Sequence, residues 1–525
     1  MYERRSRYRV GAFCGWLSAN GELGLRRFDG RPTGVVSAGL LRRGRRAPWP
    51  SSQISKAWSL GSRRLELAAS VLQNSDLWPA EQRLGSCRTA GWRLRNSDLQ
   101  GVIGLVTSDD ILTRHALPWA KELVGSFPAV VVEGARQVGK STLATMLVEG
   151  SERPARYLTL DDDVMRAAAQ NDPQAFVNQL PDGMLVIDEI QRAPELLLPI
   201  KASIDRHRTA GRFLLTGSAD LLRLERTPDS LAGRAVTLPL RTLSQGEING
   251  RLDDFVTRFV AGVDPFDVRS TVSREDYANL LAAGGYPEVF QRSPRLRAAW
   301  FDGYIGRIVQ RDARDVRRLV DGNRLATVLR LVAANQAGEV VRARLSRDAD
   351  VPETTMTAYL DLVETLYLVE RIRPWTGNLT TRQTGKAKGL ITDSALAMHL
   401  SGVTAARAAA LVGGGELLGP LLEGLVVSEL RKQQSWSDTR FSVFHYRETS
   451  GVEVDVLLEL DDGRVLGLEV KAKQTYKPEH FRGLQRLAER LGDRFLAGVV
   501  LGTADQGVRF GEKLVGLPIA SLWEL

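Results

Sequence analysis

The run Val130-Val-Val-Glu-Gly-Ala-Arg-Gln-Val-Gly-Lys-Ser-Thr142 constrains this chain more than any other stretch. Ala129 to Val132 reads as a short buried strand, Gly134 to Gly139 as a loop, and Lys140 as the opening of a helix. The spacing G-x-x-x-x-G-K-S is that of a phosphate-binding loop. Its glycines let backbone N–H groups close around phosphate oxygens at a helix N-terminus that carries about half a positive charge. The expected cradle is Gly134, Ala135, Arg136, Gln137, Val138, Gly139, Lys140, Ser141 and Thr142. Within it Lys140 reaches the β- and γ-phosphates and Ser141 ligates Mg²⁺.

Neighbouring segments supply the rest of such a site. A helix is expected over Leu112 to Leu123, a second strand over Arg156 to Leu160, a third over Met184-Leu-Val-Ile-Asp-Glu189 and a fourth over Arg212 to Ser218. Strands that alternate with helical stretches and end in polar residues predict a parallel α/β sheet with its ligand beyond the strand C-termini. Asp188 follows four apolar residues, so it falls at a strand end within reach of a metal held by Ser141. Glu189 is then placed to orient or deprotonate an attacking water, and Thr216 and Ser218 to hydrogen-bond that water or the γ-phosphate.

Gly134 to Thr142, Ile187-Asp-Glu-Ile-Gln191, Leu215-Thr-Gly-Ser218, Leu231-Ala-Gly-Arg234 and Gly284-Gly-Tyr-Pro-Glu288 occur in that order. In this combination the chain resembles the prokaryotic AAA-type ATPases that carry a C-terminal domain of unknown function, over roughly residues 108–525. The resemblance implies ATP rather than GTP, with Mg²⁺. It also implies that Arg234 acts as a phosphate sensor or as a finger on a neighbouring subunit's nucleotide, which makes a second copy of the chain a candidate partner. A structural role at a helix end is the alternative for Arg234.

A second chemical cluster lies near the C-terminus. In Val452-Glu-Val-Asp-Val-Leu-Leu-Glu-Leu460 the even positions are apolar and Glu453, Asp455 and Glu459 are acidic; in Arg464 to Lys471, Leu466, Leu468 and Val470 flank Glu469. Such alternation is that of a half-buried hairpin. Cross-strand partners share a face, so odd positions oppose odd positions and the loop holds an odd number of residues. A three-residue loop, Asp461 to Gly463, places Asp455 opposite Glu469 and Glu453 opposite Lys471. Two close carboxylates can hold Mg²⁺, and a lysine beside them can activate a water. Asp455, Glu469 and Lys471 resemble the PD-(D/E)xK nuclease pattern, with Glu423 matching the family's helical acid and Glu429 as the alternative. Val454 stands where that pattern has proline. DNA is then a candidate substrate, and binding without cleavage the rival reading.

The intervening region is expected to be helical over 241–335, with a break at Gly284-Gly285. From Val340 to Arg373 it has a winged-helix rhythm: a short helix, a turn at Val351-Pro352, a helix from Glu353 to Leu366, and an apolar wing. The second helix carries Glu353, Asp361 and Glu364 and no Lys or Arg, which disfavours direct major-groove reading. Arg307, Arg311, Arg314 and Arg318 share a helical face interleaved with Asp312 and Asp315, and self-pairing is the expectation.

The chain's formal net charge of +9 is a nucleic-acid signal only until it is divided. Residues 1–100 hold 18 Lys and Arg, 17 of them Arg, against 7 Asp and Glu; the remainder holds 53 against 55. The basic excess therefore belongs to an Arg- and Trp-rich segment without sustained periodicity, expected to have no fold of its own, as in an extension from a misplaced start. A basic arm contacting nucleic acid and a small domain are the alternatives. Cys14 and Cys87 have no ligand-like spacing. No apolar run approaches the ~18 residues of a membrane span, and the N-terminus lacks a secretory signal's apolar core, so a cytoplasmic protein with no membrane partner is expected. The expected organisation is α/β: residues 1–107 basic segment, 108–245 P-loop parallel-sheet ATPase domain, 246–335 helical lid, 336–375 winged helix, and 376–525 an α/β restriction-endonuclease-like domain.

Overall fold

The computed structural model describes residues 112–218, 231, 233–312, 321–377, 380, 382, 385–410, 415–448 and 450–525, with the backbone of strands β1 (Phe13–Leu17) and β2 (Leu23–Arg27). The chain divides between Leu105 and Val106. In the first unit β1 pairs antiparallel with β2, Phe13 opposite Arg27. Otherwise the expectations for residues 1–107, and for the side chains of Arg311, Arg314 and Arg318, fall outside the described residues.

The second unit begins with a five-stranded parallel sheet: β3 (Ala129–Glu133), β4 (Ala155–Thr159), β5 (Met184–Asp188), β6 (Phe213–Gly217) and β7 (Ala235–Pro239), in the order β4-β5-β6-β3-β7. β3, β5 and β6 are buried along their whole length, which is why they read as unbroken apolar runs. Their alternate side chains feed two cores: Val130, Val132, Val186 and Leu214 pack in one, and Val131, Leu185, Ile187 and Leu215 in the other. The first helix spans Leu117–Ser126 rather than the expected Leu112 to Leu123. Pro118 explains the shift, because proline is tolerated in a first turn but not inside a helix.

Helices Gln245–Asn249, Phe255–Ala261, Arg274–Ala283 and Pro294–Arg307 follow, as expected for this stretch. Gly284 ends the third with φ of 65°, and a side chain there would meet Asp393 Oδ1 at 2.6 Å. Helices Arg342–Asp348 and Glu353–Thr365 then lead into the strand Val369–Ile372. β8 (Gly338–Glu339), β9 (Val369–Ile372) and β10 (Lys388–Ile391) form an antiparallel sheet in the order β8-β10-β9. The expected wing thus pairs with a strand beyond residue 375. Asp361 and Glu364 on the acidic helix are spent on Arg371 of β9.

The C-terminal sheet contains β11 (Phe441–Arg447), β12 (Glu453–Leu460), β13 (Val465–Lys471), β14 (Phe495–Gly502), β15 (Val508–Arg509) and β16 (Leu514–Pro518), ordered β11-β12-β13-β14-β16-β15. β11 to β13 are antiparallel, and β13, β14 and β16 parallel, with helix Arg482–Leu491 as the crossover between β13 and β14. Val456 opposes Leu468, and Leu458 opposes Leu466. The loop is Asp461 to Gly463, with Gly463 at φ of 82° and the Leu460 N–H donating to Arg464 O at 2.9 Å. This odd loop is the one the alternation demanded. The paired register runs from Glu459 opposite Val465 to Val456 opposite Leu468, one step short of Asp455 and Glu469, and Glu453 meets Lys388 and Arg447 rather than the expected Lys471.

Candidate functional site

The phosphate cradle grows from the end of β3. Gly134 has φ of 156°, and a Cβ there would lie 2.0 Å from Leu240 O, so only glycine fits. Gly139, at φ of 96°, caps helix Lys140–Glu149, and Gln137 is also left-handed at φ of 63°. The Lys140 side chain is buried, and its ammonium donates to Gly134 O at 3.0 Å and Ala135 O at 2.9 Å. Arg114, which sequence reading missed, braces the loop from behind: Nη1 donates to Val138 O at 2.7 Å, Nη2 to Arg241 O at 2.8 Å, and Nε to Glu247 Oε1 at 2.9 Å. Tyr304 donates to Arg136 O at 3.3 Å. Replacing Gly134 by alanine is expected to weaken nucleotide binding at least about ten-fold, because the strained φ and the Leu240 carbonyl force the loop to move. Titration with a fluorescent ATP analogue checks it; unchanged affinity would mean the cradle tolerates a Cβ.

The acids assemble beside that loop. Ser141 Oγ donates to Asp188 Oδ1 at 3.0 Å, and the buried Thr216 hydroxyl donates to the same oxygen. Thr159 Oγ1 lies 3.4 Å from Asp188 Oδ2. Glu189 adopts φ of 59°, unusual for a non-glycine residue, and its N–H donates to Thr216 Oγ1 at 3.1 Å. Its carboxylate accepts from Ser218 Oγ at 3.2 Å and from Gln191 Nε2, which also donates to Ser218 Oγ at 2.9 Å. Burial first, then the Asp188 charge, pushes the Tyr157 phenol well up, so Tyr157 stands beside Asp188 as a neutral hydrogen-bonding group. Nothing in the sequence marked Tyr157, since an aromatic in a strand is ordinarily core. Ser141 and Asp188, two oxygen donors at a helix N-terminus, suit Mg²⁺, a hard cation that takes oxygen ligands.

Arg234 is held on its own chain. Nε donates to Asp205 Oδ1 at 2.6 Å and Nη2 to Oδ2 at 3.0 Å, a two-pronged pair with helix Leu197–Arg206.

In the C-terminal domain Asp455 Oδ2 accepts from the Val470 N–H at 2.9 Å, and Lys471 Nζ lies 2.5 Å from Glu469 Oε1 and 3.9 Å from Asp455 Oδ2. Glu423 faces the same cluster, but a cation already lies between the acids. Lys388, on β10, places Nζ 2.7 Å from Glu423 Oε1, 2.7 Å from Glu453 Oε1 and 3.7 Å from Asp455 Oδ1. Its side chain is 6% exposed. Burial alone would depress Lys388, yet Glu423 and Asp455 outweigh it and hold the ammonium above its ordinary range. Burial and then Asp455 push Glu423 up to about 8 in spite of Lys388, and the same two causes push Glu469 up to about 7. Glu429 sits elsewhere, buried against Lys432 Nζ at 2.7 Å and the Gln245 N–H at 2.8 Å. Among the described residues no group of three or more His, Cys, Asp or Glu is arranged to hold a metal ion. Lys388 was missed in the sequence, where its one signal is a lone charge opening the apolar strand Lys388-Gly-Leu-Ile391.

With this geometry in view, comparison with known proteins assigns the three regions. Residues 126–249 match the AAA domain family. The chain carries an AAA-type ATPase domain. Residues 274–407 and 418–522 match two domains of unknown function, DUF8612 and DUF4143. Uncharacterized proteins of Mycobacterium tuberculosis and Mycobacterium bovis are each 28% identical over 351 residues, 66% of this chain and 71% of theirs. Among solved structures, a Walker-type ATPase of Pyrococcus abyssi is 17% identical with a TM-score of 0.35, covering 56% of this chain and 97% of that one. The RuvB Holliday junction branch migration motor of Thermotoga maritima is 17% identical with a TM-score of 0.24, covering 53% and 90%. Among the described residues no helix is long and apolar enough to cross a membrane.

Proposed function

We propose that this chain is an Mg²⁺-dependent ATP-hydrolysing switch whose C-terminal domain engages a partner without cutting it. The observation that carries the first half is the contact of Ser141 with Asp188, flanked by Thr216 and Glu189, beside a loop that closes around Lys140. On this reading the backbone N–H groups of the loop and Lys140 bind the phosphates, and Ser141 and Asp188 hold the metal. Mg²⁺ supplies charge neutralisation on the phosphates. Glu189 accepts the proton of the attacking water, while Thr216 and Ser218 fix the geometry around it. Gln191 and Ser218 hold the Glu189 carboxylate in the present arrangement. Arg234 would have to leave Asp205 to act on a neighbour's nucleotide, so a role in trans implies movement of that side chain.

Nucleotide state has a physical route to the rest of the chain. The Tyr367 hydroxyl donates to Glu133 Oε2 at 2.8 Å, at the end of the strand that feeds the cradle, and β9 begins two residues later. A cleft of about 740 Å³ beside it is lined by Arg241, Arg342, Arg371, Arg373 and Lys386 as well as Glu364 and Glu370. Its cationic excess and the winged-helix-like rhythm of 340–373 favour DNA as the partner. A second reading, a DNA nuclease of the PD-(D/E)xK type, is favoured by the meeting of Asp455, Glu469 and Lys471. One set of assays separates them: phosphate release from ATP with Mg²⁺, and integrity of single-stranded, duplex and branched DNA in the same tubes. ATP turnover with intact DNA is expected. Metal-dependent cutting that disappears in Glu469→Ala would establish the second reading, and absence of ATP turnover would overturn the first.

A further inference from the structure

The acids of the C-terminal domain invite a divalent cation, and the structure answers with a lysine. Mg²⁺ needs carboxylate oxygens converging at about 2.0–2.1 Å on one point with several waters around it. The focal point of Glu423, Glu453 and Asp455 is instead taken by Lys388 Nζ at 2.7, 2.7 and 3.7 Å. Glu469, the remaining acid, turns Oε1 to Lys471 Nζ at 2.5 Å, while its Oε2 is buried without a hydrogen-bond partner. Lys388 is not a wandering surface side chain. Its residue pairs with Ile372 of β9 and Glu339 of β8, Val340 N–H donates to Ala387 O at 2.8 Å, and the Ile391 N–H donates to Gln336 Oε1 at 2.9 Å. To withdraw the ammonium, the strand itself must shift.

A second ion pair fastens the same sheet to the same helix. Arg431 Nε lies 2.6 Å from Glu370 Oε1 of β9, and Arg431 lies roughly two turns beyond Glu423 on helix Gly415–Gln433. Glu370 also meets Arg241 Nη1 at 2.8 Å, just after β7 of the ATPase sheet. The β8-β10-β9 sheet is therefore pinned to the C-terminal helix at two points and to the ATPase domain at Arg241 and through Tyr367.

We propose that Lys388 takes the place of the divalent cation, so that Glu423, Glu453 and Asp455 form an ionic latch between the β8-β10-β9 sheet and the C-terminal domain rather than a hydrolytic metal centre. This deepens the reading of a domain that binds without cutting. A metal held between Glu423 and Asp455 would have to displace Lys388. The latch needs only that the sheet, which touches the nucleotide-binding strand at its other end, carries the lysine.

The test is Mn²⁺ binding to nucleotide-free protein, followed by electron paramagnetic resonance, for wild type, Asp455→Asn, Lys388→Met and the double variant. Wild type and Asp455→Asn are expected to bind Mn²⁺ alike, since any weak site at the P-loop is common to both. Lys388→Met, unbranched like lysine but uncharged and one atom shorter, is expected to gain one site at least about ten-fold tighter than any in wild type, and the double variant to lose it. An Asp455-dependent site in the wild type would overturn the latch, and so would a folded Lys388→Met protein that gains none. Should Lys388→Met fail to fold, the comparison of wild type with Asp455→Asn still decides. ATP turnover, measured separately, reports on the ATPase reading alone, so either can fail without the other.

Discussion

A Glu189→Gln protein will bind ATP about as tightly as the wild type and hydrolyse it roughly 10²- to 10⁴-fold more slowly, the range expected for loss of a general base. The change is isosteric. The amide can still meet Ser218 and Gln191, and the backbone N–H to Thr216 is untouched, so the left-handed turn after β5 survives. What disappears is an acceptor for the water's proton. Asp188→Asn should behave differently, because Asp188 contacts Ser141 and Thr216 through one oxygen and its loss strips charge from the metal position. That variant is expected to lose Mg²⁺ dependence and turnover together. Single-turnover hydrolysis beside equilibrium binding of a fluorescent ATP analogue separates the two, since a kcat loss at constant affinity marks an interaction made only in the transition state. Turnover in Glu189→Gln within about three-fold of wild type would remove Glu189 from the role of base.

The nucleotide site was readable because its chemistry is local. A loop that must approach phosphate closely needs glycine at fixed spacing, and Gly134, pressed against the Leu240 carbonyl, shows why. Asp188 and Glu189 announced themselves as acids ending an apolar run, which only a buried parallel strand explains. The C-terminal hairpin was readable for a similar reason, since a period of two fixes register once the loop is known to be odd. Long-range partners were not readable. Arg114 reaches Glu247 across 133 residues, and Tyr367 reaches Glu133 across 234. A single arginine or tyrosine carries no sign of such a contact. The same limit produced the main surprise. Register predicted that Asp455, Glu469 and Lys471 meet, but said nothing of a lysine brought in from another sheet. Pairing of β9 with β10, across the 15 intervening residues 373–387, is what delivers it.

Removing that lysine is expected to be costly. Breaking a buried ion pair from one side typically loses ~3–5 kcal/mol, because the charge left behind stays desolvated and unpaired. Lys388→Met leaves Glu423 facing Glu453 and Asp455 with no cation between them, so the unfolding transition of the C-terminal domain in urea should move by about that much. Glu423→Gln added to Lys388→Met should restore part of the loss, and strict additivity of the two single changes would mean that they are not coupled. The pH dependence has a fixed sign. Glu423 and Glu469 bind protons more tightly in the folded protein, at about 8 and 7, than their ordinary value of 4.5. Between about pH 4.5 and 8 the folded state therefore holds more protons than the unfolded state, and stability falls as pH rises through that window. Lys388 stays charged throughout, since its own shift is upward. Without it the carboxylates repel one another more strongly, so Lys388→Met should be least impaired near pH 5 and most impaired near pH 8. A deficit that stays flat across that range would mean that the lysine stabilises by packing its chain rather than by neutralising the acids, and Asp455→Asn in the Lys388→Met background would then recover nothing.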